Sequence, residues 1–392
     1  MLGNLNPFNK PIILKTVNKL IAYGVAQDAS DIQLEIIPDQ SLEAKYKVYG
    51  QFADSLYFDA SLAADVFAKL KHLADLSLKD FSGSFTLELP EGLIKVEAAL
   101  IKSGRGEIIN LKIKPLKPEL FFLDELGLNQ DQFKLIETNL CAKGISLISG
   151  PSRAGKTTTA LAYLLGCNSI NLNLYSLTNQ EQIKLRGINQ VAIKNKNARS
   201  WNEAISAVAK QDPDIIYLDE PPMDIDFTPL AALASSHSII ISLQAASAFE
   251  ALKKIAATNL YSAAAEPKLN LVINQRLARR LCPNCCFNYH LDANIFNQLA
   301  QTFEILDQDL IGLELFHAQG CAQCGYSGYL GQIGLFEVAK IGADLNRRLS
   351  TDGADAKAQD FLDSSMSLSL AEDGFIKALK GLTTIEELKR VI

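Results

Sequence analysis

Residues 150–159, GPSRAGKTTT, have the residue types and the spacing of a phosphate-binding loop. Gly150, Gly155, Lys156 and Thr157 fit the pattern GxxxxGK[ST], which is specific only when a strand precedes it and a helix follows it. The short apolar run GISLIS precedes the loop, and the helix-forming run KTTTALAYLL begins directly after Gly155. These flanking segments favour phosphate binding over the alternative, an ordinary glycine-containing turn between a strand and a helix.

Each part of this loop has a predicted role. Glycines let backbone N–H groups face phosphate oxygens at the positive end of the following helix. We expect Lys156 to reach the β- and γ-phosphates and the Thr157 hydroxyl to coordinate Mg²⁺. The residues predicted to contact the nucleotide are Gly150, Pro151, Ser152, Arg153, Ala154, Gly155, Lys156, Thr157 and Thr158.

Two adjacent carboxylates follow a second apolar strand in the stretch DIIYLDE, residues 214–220. Asp219 would support the Mg²⁺ ion through water, and Glu220 would orient or deprotonate the attacking water. The alternative is a pair of solvated carboxylates at the end of a strand. The sequence therefore predicts Lys156, Asp219 and Glu220 as the catalytic residues of ATP hydrolysis.

Four of the seven cysteines form two CxxC pairs, Cys282 with Cys285 in CPNC and Cys321 with Cys324 in CAQC. Four thiolates at this spacing suit tetrahedral Zn²⁺ in a closed, structural site. Disulfides and free buried thiols are the alternatives, and Cys286 is a neighbouring thiol that could compete as a ligand. The spacing favours zinc.

Composition and charge exclude some classes of protein. The chain has 392 residues, of which 48% are apolar, so it can bury substantial cores. With 38 Lys and Arg against 44 Asp and Glu, the net charge is −6, which argues against a bulk nucleic-acid binder. The N-terminus lacks the pattern of a secretory signal, and apolar runs such as SIIISL are far shorter than the ~20 residues of a membrane span. We expect a cytoplasmic protein with no direct nucleic-acid partner.

The patterning predicts two kinds of architecture along the chain. Up to residue 114, alternating strands such as ASDIQLEII and the helix SLAADVFAKLKHLADL indicate a small α+β domain. From residue 121, strands and helices alternate, which favours a parallel sheet flanked by helices. The proline-rich stretch PLKPEL marks a linker. The predicted domains are 1–114, 121–281 and 282–392, with the linker at 115–120.

Two local predictions concern the last third of the chain. Arg276, Arg279 and Arg280 are expected to cluster on one helix before Cys282. The segment TTIEELKRVI is expected to begin a helix with a capping box formed by Thr384 and Glu387.

Several stretches, in order, resemble the GspE/PilB family, the hexameric ATPases of type II secretion and type IV pilus assembly. They are KTVNKLIAYGVAQDASDIQLE, GPSRAGKTTT, GINQVAI, KQDPDII, INQRLARRLCPNC, GCAQCGYSGYLGQIGLFEV and EDGFIKALKGLTTIEEL. The resemblance implies an α/β fold: a RecA-like P-loop ATPase core with an N-terminal PAS-like α+β domain and a C-terminal tetracysteine zinc module. It also implies the cofactors ATP, Mg²⁺ and Zn²⁺, a homo-hexamer, an inner-membrane platform protein as partner, and peripheral association with the inner membrane through that partner.

The sequence departs from the family pattern around the expected γ-phosphate position. The acidic box EDPVE aligns with TNQEQ, residues 178–182, where Glu181 is the remaining carboxylate. The Walker B pattern GEIRD aligns with DEPPM, so Asp219 replaces the glycine and Pro222 the arginine. In the histidine box, His237 matches the first histidine and Gln244 replaces the second. The resemblance therefore implies that Gln244 contacts the nucleotide.

Arginines of the family pattern are also replaced. The residues at those positions are Ser206, Lys210, Lys45, Lys47 and Lys112, and lysine lacks the planar fork with which arginine holds phosphate oxygens. The candidates to substitute for them are Arg153, Arg186 and Arg199. These losses imply a weakened ATPase.

Two functions fit these residues. The first is an ATP-hydrolysing motor subunit that powers type IV pilus assembly or type II secretion. The second is a nucleotide-binding structural subunit with little or no turnover that regulates an intact partner ATPase.

Overall fold

The computed structural model describes residues 11–76, 81–90, 92–104, 106–115, 121–167, 171–179, 185–193, 197–262, 268–290, 314–351, 362 and 365–392. The chain divides into two compact units, a first unit of residues 1–119 with 325–327 and a second unit of residues 120–324 with 328–392. The predicted linker, beyond residue 115, and Glu181 lie outside the described residues. The predicted boundary at residue 281 falls inside the second unit, and the domain limits stay a prediction.

The described residues of the first unit form a six-stranded antiparallel sheet and two helices. Its elements are α1 (Pro11–Ala26), β1 (Ala29–Ile36), β2 (Leu42–Val48), β3 (Gln51–Phe58), α2 (Ala60–Leu73), β4 (Ser82–Leu89), β5 (Gly92–Ser103) and β6 (Gly106–Pro115). The strands lie in the order β3-β2-β1-β6-β5-β4. Side chains alternate between buried and more exposed along β2 and along the middle of β5, as expected when one face of a sheet packs on helices. This matches the predicted α+β architecture, and its PAS-like classification stays a prediction.

The second unit is built on a seven-stranded sheet in the order β15-β12-β7-β11-β10-β8-β9. Six neighbouring strands are parallel, and β15 pairs antiparallel to β12 at one edge. Strands β13 and β14 form a separate two-stranded sheet. The strands are β7 (Gly144–Gly150), β8 (Leu174–Thr178), β9 (Ile188–Ala192), β10 (Ile215–Asp219), β11 (Ser238–Gln244), β12 (Leu269–Leu281), β13 (Cys286–His290), β14 (Glu314–Ala318) and β15 (Tyr329–Lys340).

Helices cover both faces of this sheet, as the alternating pattern predicted. They are α3 (Gln130–Asn139), α4 (Lys156–Cys167), α5 (Ala198–Ala209), α6 (Thr228–Ala234), α7 (Ala248–Ala256), α8 (Ala343–Thr351), α9 (Leu370–Leu379) and α10 (Ile385–Val391). One core contains residues of α5, α6 and α7, and the other contains residues of α3 and α4, so the central strands are buried on both sides. Within the described part of the chain, no helix combines the length and the apolar character that crossing a membrane requires.

The arginines before the first cysteine pair lie on a strand, and the prediction that they share a helix is wrong. Arg276, Arg279 and Arg280 belong to β12, which pairs with β15 on one side and, from Leu269 to Asn274, with β7 on the other. The first seven residues of β12 are buried, because they form part of the central sheet. Arg279 and Arg280 follow Arg276 by three and four residues, which is the spacing of one helix face. Pairing with β15 nevertheless places these residues on a strand.

The capping box predicted at the last helix is only half formed. The Thr384 side chain accepts a hydrogen bond from the Glu387 N–H at 3.1 Å, as predicted. The Glu387 carboxylate instead accepts hydrogen bonds from the Arg279 backbone N–H (2.8 Å) and from the Nε atoms of Arg279 (2.9 Å) and Arg390 (2.8 Å). Burial alone raises the pKa of Glu387, but these hydrogen bonds outweigh it and hold the pKa below its ordinary value. The buried carboxylate therefore fastens α10 to β12.

Candidate functional site

The predicted phosphate-binding loop lies at the carboxyl end of a central strand. Strand β7 is buried along its whole length between β11 and β12, and the loop leads from Gly150 into α4, which begins at Lys156. Gly150 and Gly155 both have positive φ angles, +154° and +85°. A Cβ atom on Gly150 would lie 2.5 Å from the Gln275 carbonyl oxygen, so the loop requires glycine there.

Gln275 of β12 supports this loop from below. Its Nε2 donates a hydrogen bond to the Ala154 carbonyl at 2.7 Å, and the side chain is buried. One residue earlier, Asn274 accepts a hydrogen bond from Ser149 at 3.1 Å. The loop motif alone does not reveal these contacts, because they come from a strand more than 120 residues later.

Lys156 points into the cradle formed by its own loop. Its side chain is 4% exposed, and Nζ lies 3.0 Å from the Gly150 carbonyl oxygen and 2.6 Å from that of Pro151. Nζ also lies 3.0 Å from the Glu220 carboxylate. The loop residues Pro151, Ser152 and Arg153 are exposed, and Thr157 and Thr158 occupy the first turn of α4.

The two predicted carboxylates meet the loop at the end of β10. Asp219 is buried, and its Oδ1 lies 3.5 Å from the Thr157 hydroxyl. Glu220 has a positive φ of +49°, which is uncommon for residues other than glycine, and its Oε2 accepts a hydrogen bond from Gln244 Nε2 at 3.1 Å. The fold thus brings together Lys156, Thr157, Asp219, Glu220 and Gln244, and their roles in nucleotide binding and catalysis stay a prediction.

Some residues matched to the family pattern lie elsewhere. His237 precedes β11, and its carbonyl accepts a hydrogen bond from Gly144, at the start of β7 and so at the opposite edge of the sheet from the loop. Arg199, on α5, forms an exposed ion pair with Glu203 at 3.0 Å. Lys47 and Lys112 belong to the first unit.

Three hydroxyl side chains that the sequence analysis missed contact Asp219. They belong to Thr178, Tyr217 and Ser242, at distances of 3.2, 2.8 and 3.1 Å from the carboxylate oxygens. Thr178 and Ser242 could have been found from the sequence. Each lies at or near the carboxyl end of an apolar strand, and the carboxyl ends of neighbouring parallel strands meet at one edge of the sheet.

The four predicted zinc ligands also come together. All four Sγ atoms of Cys282, Cys285, Cys321 and Cys324 lie within 4.8 Å of one another, and three of the pairs are 3.8–3.9 Å apart. None of the seven cysteines is in a disulfide. Hydrogen bonds, first that from Asn284, lower the pKa of Cys321 to about 6.

The spacing of the sulfur atoms matches a tetrahedral metal site. With Zn–S bonds of about 2.3 Å, the edge of a ZnS₄ tetrahedron is about 3.8 Å long. The thiol donors therefore fit Zn²⁺ in both number and separation, while Cys286 does not belong to the group.

Comparison with known proteins assigns the sequence pattern to one family. The model of the Type II/IV secretion system protein family matches residues 8–390. The Type II secretion system protein E of Dickeya dadantii is 26% identical over 386 residues, which cover 97% of this chain and 75% of that protein. The type IV pilus assembly ATPase PilB of Pseudomonas aeruginosa is 26% identical over 393 residues, covering 97% of this chain and 67% of PilB.

Solved structures show the same mixed α/β fold. The ATPase DotB of Legionella pneumophila superposes with a TM-score of 0.65 at 12% identity and covers 97% of this chain and 95% of its own. The pilus retraction motor PilT with bound ADP superposes with a TM-score of 0.58 at 15% identity, with 95% of each chain covered.

Proposed function

The chain belongs to the Type II/IV secretion system protein family, and on that premise we propose that it is a P-loop ATPase that drives type IV pilus assembly or type II secretion. The observation that carries the proposal is the convergence of Lys156, Thr157, Asp219 and Glu220 at the carboxyl end of the parallel strands. Relatives with 26% identity along nearly the whole chain are named as pilus and secretion proteins, which supports the same class of work.

The loop residues bind the triphosphate in this proposal. Backbone N–H groups from Ser152 to Thr157 face the phosphates, and the Lys156 ammonium leaves its carbonyl partners to neutralise the β- and γ-phosphates. Arg153, exposed at the tip of the loop, supplies a further positive charge at its rim.

The oxygens beside the loop fit Mg²⁺. The Thr157 hydroxyl and the Asp219 carboxylate are hard donors 3.5 Å apart, and magnesium prefers oxygen ligands and keeps several of its waters. Thr157 would coordinate the ion directly and Asp219 through water. Bound there, Mg²⁺ supplies charge neutralisation of the phosphates.

Glu220 is the general base of the proposed reaction. Its carboxylate is one third exposed and is held between Lys156 Nζ and Gln244 Nε2, at 3.0 and 3.1 Å. When Lys156 turns to the phosphates, Glu220 is free on that side to accept a hydrogen bond from water and to orient it for attack. Gln244 then positions the carboxylate.

A Cys₄ zinc centre completes the proposal. Cys282, Cys285, Cys321 and Cys324 would hold Zn²⁺ in a closed, structural site that fastens the loop before β15 to the end of β12. Three sulfur pairs at 3.8–3.9 Å support this proposal over the alternatives, disulfides or free thiols.

The assembly is proposed on the same premise. We take the working form to be a homo-hexamer that acts on an inner-membrane platform protein from the cytoplasmic side. Nucleotide-dependent motion within each chain would be passed to that partner.

A regulatory subunit is the second candidate. Thr178 and Gln244 stand where the resemblance expects a carboxylate and a histidine, and both make hydrogen bonds to the acid pair. Such a site could bind ATP and turn it over slowly or not at all, tuning an intact ATPase in the same machine.

Steady-state ATP hydrolysis and nucleotide binding by the zinc-loaded protein separate these candidates. Turnover that both Lys156→Ala and Glu220→Gln abolish supports the motor. Tight ATP binding that Lys156→Ala abolishes, with turnover no higher than that of Glu220→Gln, supports the regulatory subunit. Absence of nucleotide binding would refute both.

A further inference from the structure

Asp219 lies in a row of side chains that crosses three neighbouring strands. In the parallel pairing of β8, β10 and β11, Thr178, Asp219 and Ser242 occupy the same register position. Residues in register on adjacent strands project to the same face of a sheet. Tyr217, two residues before Asp219, projects to that face as well. The four side chains therefore meet next to Thr157.

The hydroxyl groups of this row surround the carboxylate. Oδ1 of Asp219 lies 2.8 Å from the Tyr217 hydroxyl and 3.1 Å from that of Ser242, while Oδ2 lies 3.2 Å from the Thr178 hydroxyl. The Tyr217 hydroxyl is also 3.3 Å from Ser242 Oγ. Its single proton is assigned to the carboxylate, which is closer and charged.

Tyr217 is suited to be a permanent donor. Its ring is fully buried, and its hydroxyl lies 2.8 Å from Asp219 Oδ1, so the phenol O–H is held where it donates a hydrogen bond to the carboxylate. An ionised carboxylate that is 6% exposed needs such donors, because a buried charge without hydrogen bonds is strongly unfavourable.

The donors also set the direction of the carboxylate. A carboxylate has about four lone-pair positions, and hydrogen bonds on both oxygens fix its plane. The plane so fixed brings Oδ1 to 3.5 Å from the Thr157 hydroxyl, which is the predicted magnesium ligand. An aspartate in a flexible orientation would have to be ordered when the ion binds, at a cost in affinity.

We infer that Tyr217 and Thr178 are positioning residues that hold Asp219 in the orientation required to bind, through water, the Mg²⁺ ion of the nucleotide. The inference rests on the proposed nucleotide site and assigns a function to two hydroxyls that the phosphate-loop motif does not include. Ser242 belongs to the same row, but it also accepts a hydrogen bond from the Glu220 N–H at 3.0 Å and so affects both acids.

The test measures how much Mg²⁺ tightens nucleotide binding. A fluorescent ADP analogue is titrated with the full-length protein in Mg²⁺ and, separately, in EDTA, and the ratio of the two dissociation constants is the Mg²⁺-linked gain. Tyr217→Phe and Thr178→Val each remove one hydroxyl at nearly constant volume. Thr178→Ser restores the hydroxyl, and Asp219→Asn sets the value expected when the charge is lost.

Tyr163→Phe is the matched control. Tyr163 is also fully buried in the second unit, but its hydroxyl donates to the Asn139 carbonyl, at the end of α3, at 2.6 Å. It reports what the loss of one buried phenol does to the fold alone. Thermal denaturation of each variant separates a loss of folding from a loss of the metal-linked gain.

We expect Tyr217→Phe and Thr178→Val to lower the Mg²⁺-linked gain about three- to tenfold, as loss of one hydrogen bond of typical net strength would. The affinity in EDTA should stay within twofold of the unsubstituted protein, and Thr178→Ser and Tyr163→Phe should keep the full gain. An unchanged gain in both variants, an equal loss of affinity in EDTA, or no gain in the unsubstituted protein would overturn the inference. Failure of the unsubstituted protein to bind the analogue at all would instead refute the proposed nucleotide site itself.

Discussion

Replacing Glu220 by Gln should make the protein bind nucleotide more tightly while it stops hydrolysis. Lys156 Nζ lies 3.0 Å from the Glu220 carboxylate and is bound there and to two carbonyl oxygens of its own loop. A phosphate must compete with these partners for the ammonium. The same carboxylate also repels the phosphate. Removing its charge while keeping its shape therefore relieves two unfavourable contributions to binding.

The size of the effect follows from the exposure of the pair. Two unit charges 3.0 Å apart attract each other by on the order of 5 kcal/mol at an effective dielectric constant of about 20. The Glu220 side chain is 34% exposed, so water screens most of this attraction. A net value of about 1 kcal/mol remains for a pair of this kind. That corresponds to a dissociation constant about fivefold lower in Glu220→Gln.

The assay is equilibrium titration of a fluorescent ADP analogue in Mg²⁺, where no turnover complicates the result. Glu107→Gln in the first unit is the matched control, because Glu107 pairs with Lys71 at a comparable exposure of 30% but lies outside the loop. Its affinity should equal that of the unsubstituted protein. If Glu220→Gln binds the analogue equally or more weakly, the carboxylate does not compete with phosphate for Lys156, and the reasoning fails.

Three further predictions follow from other contacts. Gly150→Ala should weaken nucleotide binding more than tenfold, because its Cβ would collide with the Gln275 carbonyl oxygen behind the loop. Gly342→Ala is the control and should not change binding, because a Cβ there meets nothing within 4 Å. The same titration measures both variants. Glu387→Gln should lower the free energy of unfolding by about 2 kcal/mol, because it breaks the ion pairs of the buried carboxylate with Arg279 and Arg390. The loss is smaller than for a fully buried pair, since water can reach both arginines. Because the pKa of Glu387 is lowered in the folded protein, this difference should be full above its ordinary value of 4.5 and should shrink as the pH falls through the folded value; melting curves at several pH values detect it. Cys285→Ser should lose the bound zinc, measured by atomic absorption, while Cys286→Ser should keep about one ion per chain.

The chemistry-bearing motifs could be predicted from the sequence because each is a local pattern. A glycine-rich turn between a strand and a helix, an acid pair after an apolar strand and two CxxC pairs are short enough to be complete within one segment. The order of strands and helices was equally local, and it predicted the parallel sheet. The resemblance to the GspE/PilB family, which rested on several such segments in order, is confirmed by the family match along nearly the whole chain.

What could not be predicted depends on contacts between distant segments. Gln275 reaches back 121 residues to the Ala154 carbonyl, and Glu387 is diverted from its own helix by Arg279, 108 residues away. The arginines of β12 are on a strand because β15 pairs with them from a later part of the chain. Local spacing favoured a helix at that point, and tertiary pairing outweighed it.

Strand β12 is long enough to connect the phosphate loop with the cysteine cluster. Its first half, from Leu269 to Asn274, pairs with both β7 and β15. Beyond Asn274 it continues with β15 alone, through Gln275 under the phosphate loop, to Leu281, immediately before Cys282. From Gln275 to Cys282 an extended strand covers about 23 Å. The far half of β12 is held by β15 and by the hydrogen bonds of Arg279 with Glu387 of α10. Strand β12 is therefore a continuous connection between the support of the phosphate loop and the cysteine cluster, so a shift of Gln275 would reach Cys282 along one strand.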